Sequence, residues 1–445
     1  MRLRDNLEID FLILIPVLFL IAIGVFFIYS SGMTSPQKPP GLQEYERQII
    51  FASVGIIAVF ILAMFNYRRF YDFSLYMYLL ALIPLIYTIV FGKTVYGTRR
   101  IGLGDLGIQV QFSEFVKITT IIYLARYLSD TKRTGKSLVR FIVSCIIVFI
   151  PMCLVLLQPD LGTAIVFISI LLLMAFISGI SMRYIIFSVL CIFLTGLFII
   201  LPLWQMYILK SSQPFIVMLT AMLTSPFFVG IIIIILSVIS IIALIGFLMY
   251  RKQYFFWMLY SFAIVIISFG TSYIVHKFLA NYQIMRLIVF LDPSIDPLEH
   301  GWNIIQSVTA VGSGGIIGKG FLQGTHSHYR YLPVQSTDFI FSIFSEETGF
   351  IGGIIVFALF LVILLRLIRI IKKTTDPFAE YICAGFTGVF SFHFLINVGM
   401  AMGIMPITGI PLSFISYGGS SLVSSLIGIG LIQSIYVRRK THQPI

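Results

Sequence analysis

Charge is what this sequence has least of. Only 11% of its 445 residues are Asp, Glu, Lys or Arg, while 59% are hydrophobic. Too little polar surface exists to clothe a soluble domain of this size, so a water-soluble enzyme is excluded and a polytopic membrane protein is expected. Cysteine is scarce too. Each of the four (Cys145, Cys153, Cys191 and Cys383) lies inside an apolar run, and no pair has the spacing of metal ligands. A phosphate-binding P-loop is also missing. The run Gly312 to Gly320 imitates one, but Ser313 stands where its first glycine belongs, and Lys319 is followed by Gly320. His326 and His328 sit two apart with no third ligand near them, which argues against zinc. No internal repeat is visible. The first apolar run, 11–30, lacks a small-residue cleavage site behind it and reads as a span rather than a signal peptide.

What is present is a series of apolar runs near 11–30, 48–65, 73–91, 114–128, 139–157, 160–179, 184–202, 227–250, 254–275, 339–365, 378–400 and 411–436. About 20 residues cross a bilayer, so an all-α chain of about twelve transmembrane helices is expected. The formal net charge of +12 invites a nucleic-acid partner, but the cations fall in short loops between alternate spans. That distribution obeys the positive-inside rule. It places both termini in the cytoplasm and the segment 276–338 outside, with no nucleic acid among the partners.

The polar content of the chain is concentrated in that outer segment. Residues 292–338 read DPSIDPLEHGWNIIQSVTAVGSGGIIGKGFLQGTHSHYRYLPVQSTD. Backbone this irregular lies at a membrane only where protein or water satisfies it. Asp296 is the leading candidate for a reacting group and Asp292 its competitor; each precedes a proline, and each is also a turn former. Residues 302–311 have helical character and carry Gln306 and Ser307, while Lys319 is presented by the glycine-rich loop. An earlier loop, 92–113, brings Arg99, Arg100 and Asp105. Ser113 is placed to cap the helix that follows, with Glu114 in its first turn and Lys117 on the same face. In QPDLGT, Asp160 is either a helix cap or a substrate contact. Glu346 and Glu347, beyond Asp338, need cationic partners from the outer side.

Several of these blocks resemble one family. QPDLGT, DPLEHGWNIIQS, AVGSGGIIGKGFLQGT, LPVQSTDFIFSIFSEETGF and GIMPITGIPLSFISYGGSS are similar to segments of the SEDS (shape, elongation, division and sporulation) proteins, over about 100–430. GTHSH and NVGMAMGIMPITGIPL resemble the elongation branch. The resemblance implies a peptidoglycan glycosyltransferase of the bacterial inner membrane that polymerises lipid II. It also implies a class B penicillin-binding protein and other elongation-complex proteins as partners. It implies that Asp296, ahead of Gly301-Trp302, is the catalytic general base, and that Glu114 and Lys117 line a central cavity. Arg100, Lys117 and Lys319 are then candidate pyrophosphate contacts, with Gln306, Ser307 and Asp338 beside the substrate. A divalent cation, magnesium or manganese, is compatible with that role, although no metal ligands are identified. The sequence departs from the family pattern in three places: Phe112 and Ser413 replace prolines, and Val334 to Ser336 replace a charged run. The family has about ten helices, so within one domain spanning 1–445 the stretch 203–275 reads as an insertion, its helices at 227–250 and 254–275. The rival reading from the residues themselves is a flippase or transporter of lipid-linked precursor.

Overall fold

A computed structural model describes residues 9–32, 42–95, 98–103, 108–209, 214–278, 281–328 and 335–439. In chain order the helices are α1 (Phe11–Gly32), α2 (Glu44–Met64), α3 (Arg69–Phe91), α4 (Phe112–Asp130), α5 (Ser137–Leu156), α6 (Leu161–Ile177), α7 (Met182–Leu203), α8 (Pro214–Thr224), α9 (Pro226–Tyr250), α10 (Gln253–Phe278), α11 (Asn281–Leu291), α12 (His300–Ser313), α13 (Thr325–His328), α14 (Ile340–Lys373), α15 (Pro377–Ala401) and α16 (Gly419–Arg438). Three short antiparallel strands, β1 (Lys93–Val95), β2 (Thr98–Leu103) and β3 (Ile108–Val110), interrupt the helical pattern between α3 and α4.

Ten of these helices are long and apolar enough to cross a membrane. The two other expected spans are helices as well. α4 is too polar, carrying Glu114, Lys117, Arg126 and Asp130, and α6 is short at 17 residues. The chain is a multi-pass membrane protein.

Two compact units divide it, 1–180 with 306–445, and 181–305. In the first, α15 and α16 are the inner helices, 78% and 72% buried over their apolar windows. α2 packs on α16, α6 and α4 on α15, and α1 on α14. Small residues let the backbones approach, as they must where lipid supplies no hydrophobic drive: a methyl group on Gly388 would stand 3.0 Å from the carbonyl oxygen of Ser169. In the second unit α10 packs between α7 and α9, and α9 is only 11% buried. The expected inserted pair is therefore α9 and α10, in one unit with α7 and the loop that carries Asp296.

The last span differs from expectation. Residues 411–418 were read as its beginning, yet α16 starts at Gly419. The preceding segment is irregular, with Phe414 at φ +69°, and most of it is buried. Its backbone is satisfied by side chains and neighbouring loops, which makes such a path tolerable inside a membrane protein. Asn397 donates to the Ile410 carbonyl at 2.8 Å and Gln48 to that of Ser416 at 3.1 Å. The Leu412 amide donates to Ser416 Oγ at 2.8 Å, and the Tyr417 amide to the Ser336 carbonyl at 2.8 Å. Pro411 and Gly418 break the helix, and these bonds hold what remains.

Candidate functional site

In the second unit the loop after α11 folds into a tight reversal. Asp292 caps a single 3₁₀ turn (Pro293–Ile295), its Oδ1 accepting from the Ser294 amide at 3.0 Å and from Ser294 Oγ at 2.6 Å. These two bonds hold its carboxyl below the usual carboxylate range. Asp296 ends that turn and is partly exposed. Its carbonyl accepts from the Gly301 amide at 2.8 Å, while its Oδ1 accepts a longer bond, 3.3 Å, from the Glu299 amide. Gly301 is required for the reversal. A Cβ there would stand 2.3 Å from the Pro293 carbonyl oxygen and 2.5 Å from that of Asp296. The competitor carboxylate thus serves the turn, and the turn presents Asp296.

The first unit holds a buried ionic group where the sequence placed Glu114 and Lys117. Both are 3% exposed, and Lys117 Nζ lies 2.8 Å from Glu114 Oε2. Ser424 Oγ donates to the same carboxylate oxygen at 3.2 Å. His393 Nε2 stands 3.4 Å from the ammonium on its other side. Glu114, Lys117 and Ser424 border a small cavity that Ile118, Ile121, Phe386, Val389, Phe390 and Ser425 also line. A charged pair in so dry a place survives only when its remaining donors and acceptors find partners.

Ser113 does not cap α4. The helix begins a residue earlier, the cap position is Gln111, and the Ser113 hydroxyl is buried without a hydrogen-bond partner among the described residues. Asp160, by contrast, is a cap, accepting from the Thr163 amide at 3.0 Å. It also accepts from Gln111 Nε2 at 2.6 Å, tying the start of α4 to the start of α6.

The glycine run is a clasp. Gly318 (φ +87°) and Gly349 (φ +67°) lie backbone to backbone, and a Cβ on Gly349 would fall 2.4 Å from the Gly318 amide nitrogen. Positive φ at both positions suits glycine alone, and the break at Gly349 sets off the first turns of α14 from its long span. Glu346, fully buried, accepts at Oε1 from Lys319 Nζ (2.7 Å), Thr325 Oγ1 (3.0 Å) and the His326 amide (3.0 Å). Glu347 accepts from Ser30 Oγ at 2.5 Å and from the Leu322 amide at 3.0 Å. Lys319 is therefore the cation that Glu346 was expected to need. Glu346→Ala is expected to lower stability by about 2–3 kcal/mol, because it leaves several donors unsatisfied. Thermal unfolding of the detergent-solubilised chain measures it, and Glu346→Gln, which keeps an acceptor, should recover about half.

The other expected contacts are distributed as follows. Gln306 Oε1 lies 2.9 Å from His326 Nδ1. Ser307 is buried, donating to the Ala401 carbonyl at 2.8 Å and sharing a 2.6 Å bond with Ser342 Oγ. It fastens α12 to α14 and α15. Asp338 gives its carbonyl to Asn397 Nδ2 at 3.0 Å. The backbone of Arg100 pairs with Lys93 in the β1–β2 ladder, and its side chain lies outside the described residues, as does that of His328.

Sequence reasoning passed over His393, Ser424 and Gln111. His393 had an available signal, since an ionisable residue inside an apolar span is a site candidate by default. Ser424 had none, because serine is common where membrane helices touch.

Comparison with known proteins identifies the family. A family model described as cell cycle protein, FtsW/RodA/SpoVE, matches residues 10–214 and 205–441. The peptidoglycan glycosyltransferase RodA of Treponema pallidum (strain Nichols) is 45% identical over 441 residues, 99% of this chain and 100% of that protein. Stage V sporulation protein E of Bacillus subtilis (strain 168) is 30% identical over 432 residues, 96% of each. A solved chain described under "Structural coordination of polymerization and crosslinking by a peptidoglycan synthase complex" superimposes with a TM-score of 0.67, covering 98% of this chain and 99% of that one at 22% identity. With nearly every residue covered at such identity, the chain belongs to the FtsW/RodA/SpoVE family, the SEDS proteins whose motifs its sequence carries.

Proposed function

We propose that this protein is a peptidoglycan glycosyltransferase that polymerises lipid II into glycan strands during cell elongation. The carrying observation is the full-length identity to a RodA named for that activity, joined to the turn that presents Asp296. In the reaction a sugar 4-hydroxyl attacks the anomeric carbon of a lipid-linked sugar. The new C1–O bond forms as the bond from C1 to the pyrophosphate oxygen breaks, inverting the configuration. The hydroxyl proton passes to the carboxylate of Asp296, and the lipid pyrophosphate leaves with the electron pair. Such a base is worth about 10²–10⁴ in rate. Cations near the leaving oxygens stabilise the developing charge, most effectively where water is scarce. Lys117 and Arg100, which belong to the other unit, are candidates for that task by the family resemblance alone. Lys319, half-buried against Glu346, supports the loop instead. Among the described residues no three His, Cys, Asp or Glu side chains converge.

The same reading puts the protein in the bacterial inner membrane with both termini cytoplasmic and Asp296 outside, in complex with a class B penicillin-binding protein and other elongation proteins. The test is a gel assay of glycan products from purified lipid II, with and without that partner. Glycan ladders are the expected result. Labelled lipid II crossing vesicle membranes with no sugars joined would instead establish a transporter.

A further inference from the structure

We propose that His393 is a positioning residue: it fixes the Lys117 ammonium in the cavity that Glu114 and Lys117 border. This rests on the glycosyltransferase reading for its functional consequence, though not for its geometry. His393 lies on α15 and is 1% exposed. Its Nδ1 is 3.1 Å from the carbonyl oxygen of Pro411 in the irregular segment before α16. A carbonyl only accepts, so Nδ1 carries the proton and the neutral ring leaves Nε2 as an acceptor. That acceptor faces Lys117 Nζ, a group with donors alone, at 3.4 Å. The backbone carbonyl thereby selects the tautomer that suits the lysine, as an outer partner orients a ligating imidazole at a metal.

Glu114 by itself would leave the ammonium loosely placed, because a pair three residues apart on one helix lets a flexible lysine swing about a single acceptor. A second acceptor on another helix removes that freedom. Of the three ammonium hydrogens, one is directed to Glu114 and one to His393, and the third is left for the cavity. The cavity has room for about one water-sized group, so a single anionic oxygen is what that hydrogen could meet.

Two measurements on the full chain in lipid nanodiscs test this. In ¹⁵N-histidine NMR, His393, assigned by its loss in His393→Gln, should show a protonated Nδ1 and an unprotonated Nε2. The Nε2 resonance should move by several ppm in Lys117→Gln. In lipid II polymerisation with the partner present, His393→Leu should lose about tenfold in kcat/KM, since misplaced groups lose catalytic advantage steeply. His393→Gln, whose amide oxygen can occupy the place of Nε2, should stay within about threefold of the parent chain. A protonated Nε2, a resonance unmoved by the lysine substitution, or a His393→Leu variant within twofold of the parent overturns the proposal. Should the parent chain make no glycan, the activity falls, while the NMR still judges the contact.

Discussion

Asp296→Asn is expected to abolish glycan synthesis, lowering kcat by at least about 10²-fold and as much as 10⁴-fold, with lipid II binding nearly unchanged. Asparagine keeps the size of the side chain and can accept the same 3.3 Å bond from the Glu299 amide. What it loses is the ability to take a proton. A loss confined to kcat marks an interaction made in the transition state, whereas a rise in KM alone would mark one made with substrate. Asp292→Asn is the paired control. Asp292 already serves as the cap of the 3₁₀ turn, and its carboxylate is engaged by the Ser294 amide and hydroxyl, which hold it below its ordinary range. Its substitution should cost less than about tenfold. Single-turnover polymerisation of fluorescent lipid II by both variants decides the matter. Full activity in Asp296→Asn removes that residue from the mechanism.

Gly301→Ala should be nearly as damaging, about 10²-fold in kcat, though it changes no chemical group. The added methyl would collide with two backbone carbonyl oxygens, those of Pro293 and Asp296, neither of which can rotate away. The reversal must open, the 2.8 Å bond from the Gly301 amide to the Asp296 carbonyl is lost, and the carboxylate shifts. A displacement of roughly 1 Å at a reacting group is enough for such a loss. The comparison is Gly312→Ala, on the same helix, where a Cβ meets nothing within 4 Å. That variant should retain parental activity, because alanine is the better helix former. Circular dichroism and thermal unfolding should barely change for either, which separates a misplaced carboxylate from a misfolded chain. Equal activity in the two alanine variants would show that the turn does not need its glycine.

The spans, their order and the polar loop ahead of α14 were legible because a bilayer imposes a length and an apolarity that composition reports directly. So was the Glu114–Lys117 pair, since residues three apart on a helix are neighbours whatever else the fold does. The partners of distant sequence were not. His393 is 276 residues from Lys117, and Ser424 is 310 from Glu114. Nothing in a one-dimensional pattern brings such residues together. Ser113 misled for a related reason. Its type and place suit a cap, but α4 begins two residues sooner than such a cap would start it, with Gln111 drawn to Asp160 and to Ser420 in other parts of the unit.

The amino-acid order alone therefore determined that this chain is a multi-pass helical membrane protein, that its polar residues gather ahead of α14, and that Asp296 precedes the Gly301-Trp302 pair. Tertiary structure alone decided which charges were committed. Lys319 went to Glu346, and Lys117 came to rest between Glu114 and His393. The reason is that periodicity and hydropathy act locally along the chain, whereas the pairing of a buried charge depends on which helices pack together. Once packed, the cost of leaving any such charge alone in a dry interior selects its partner.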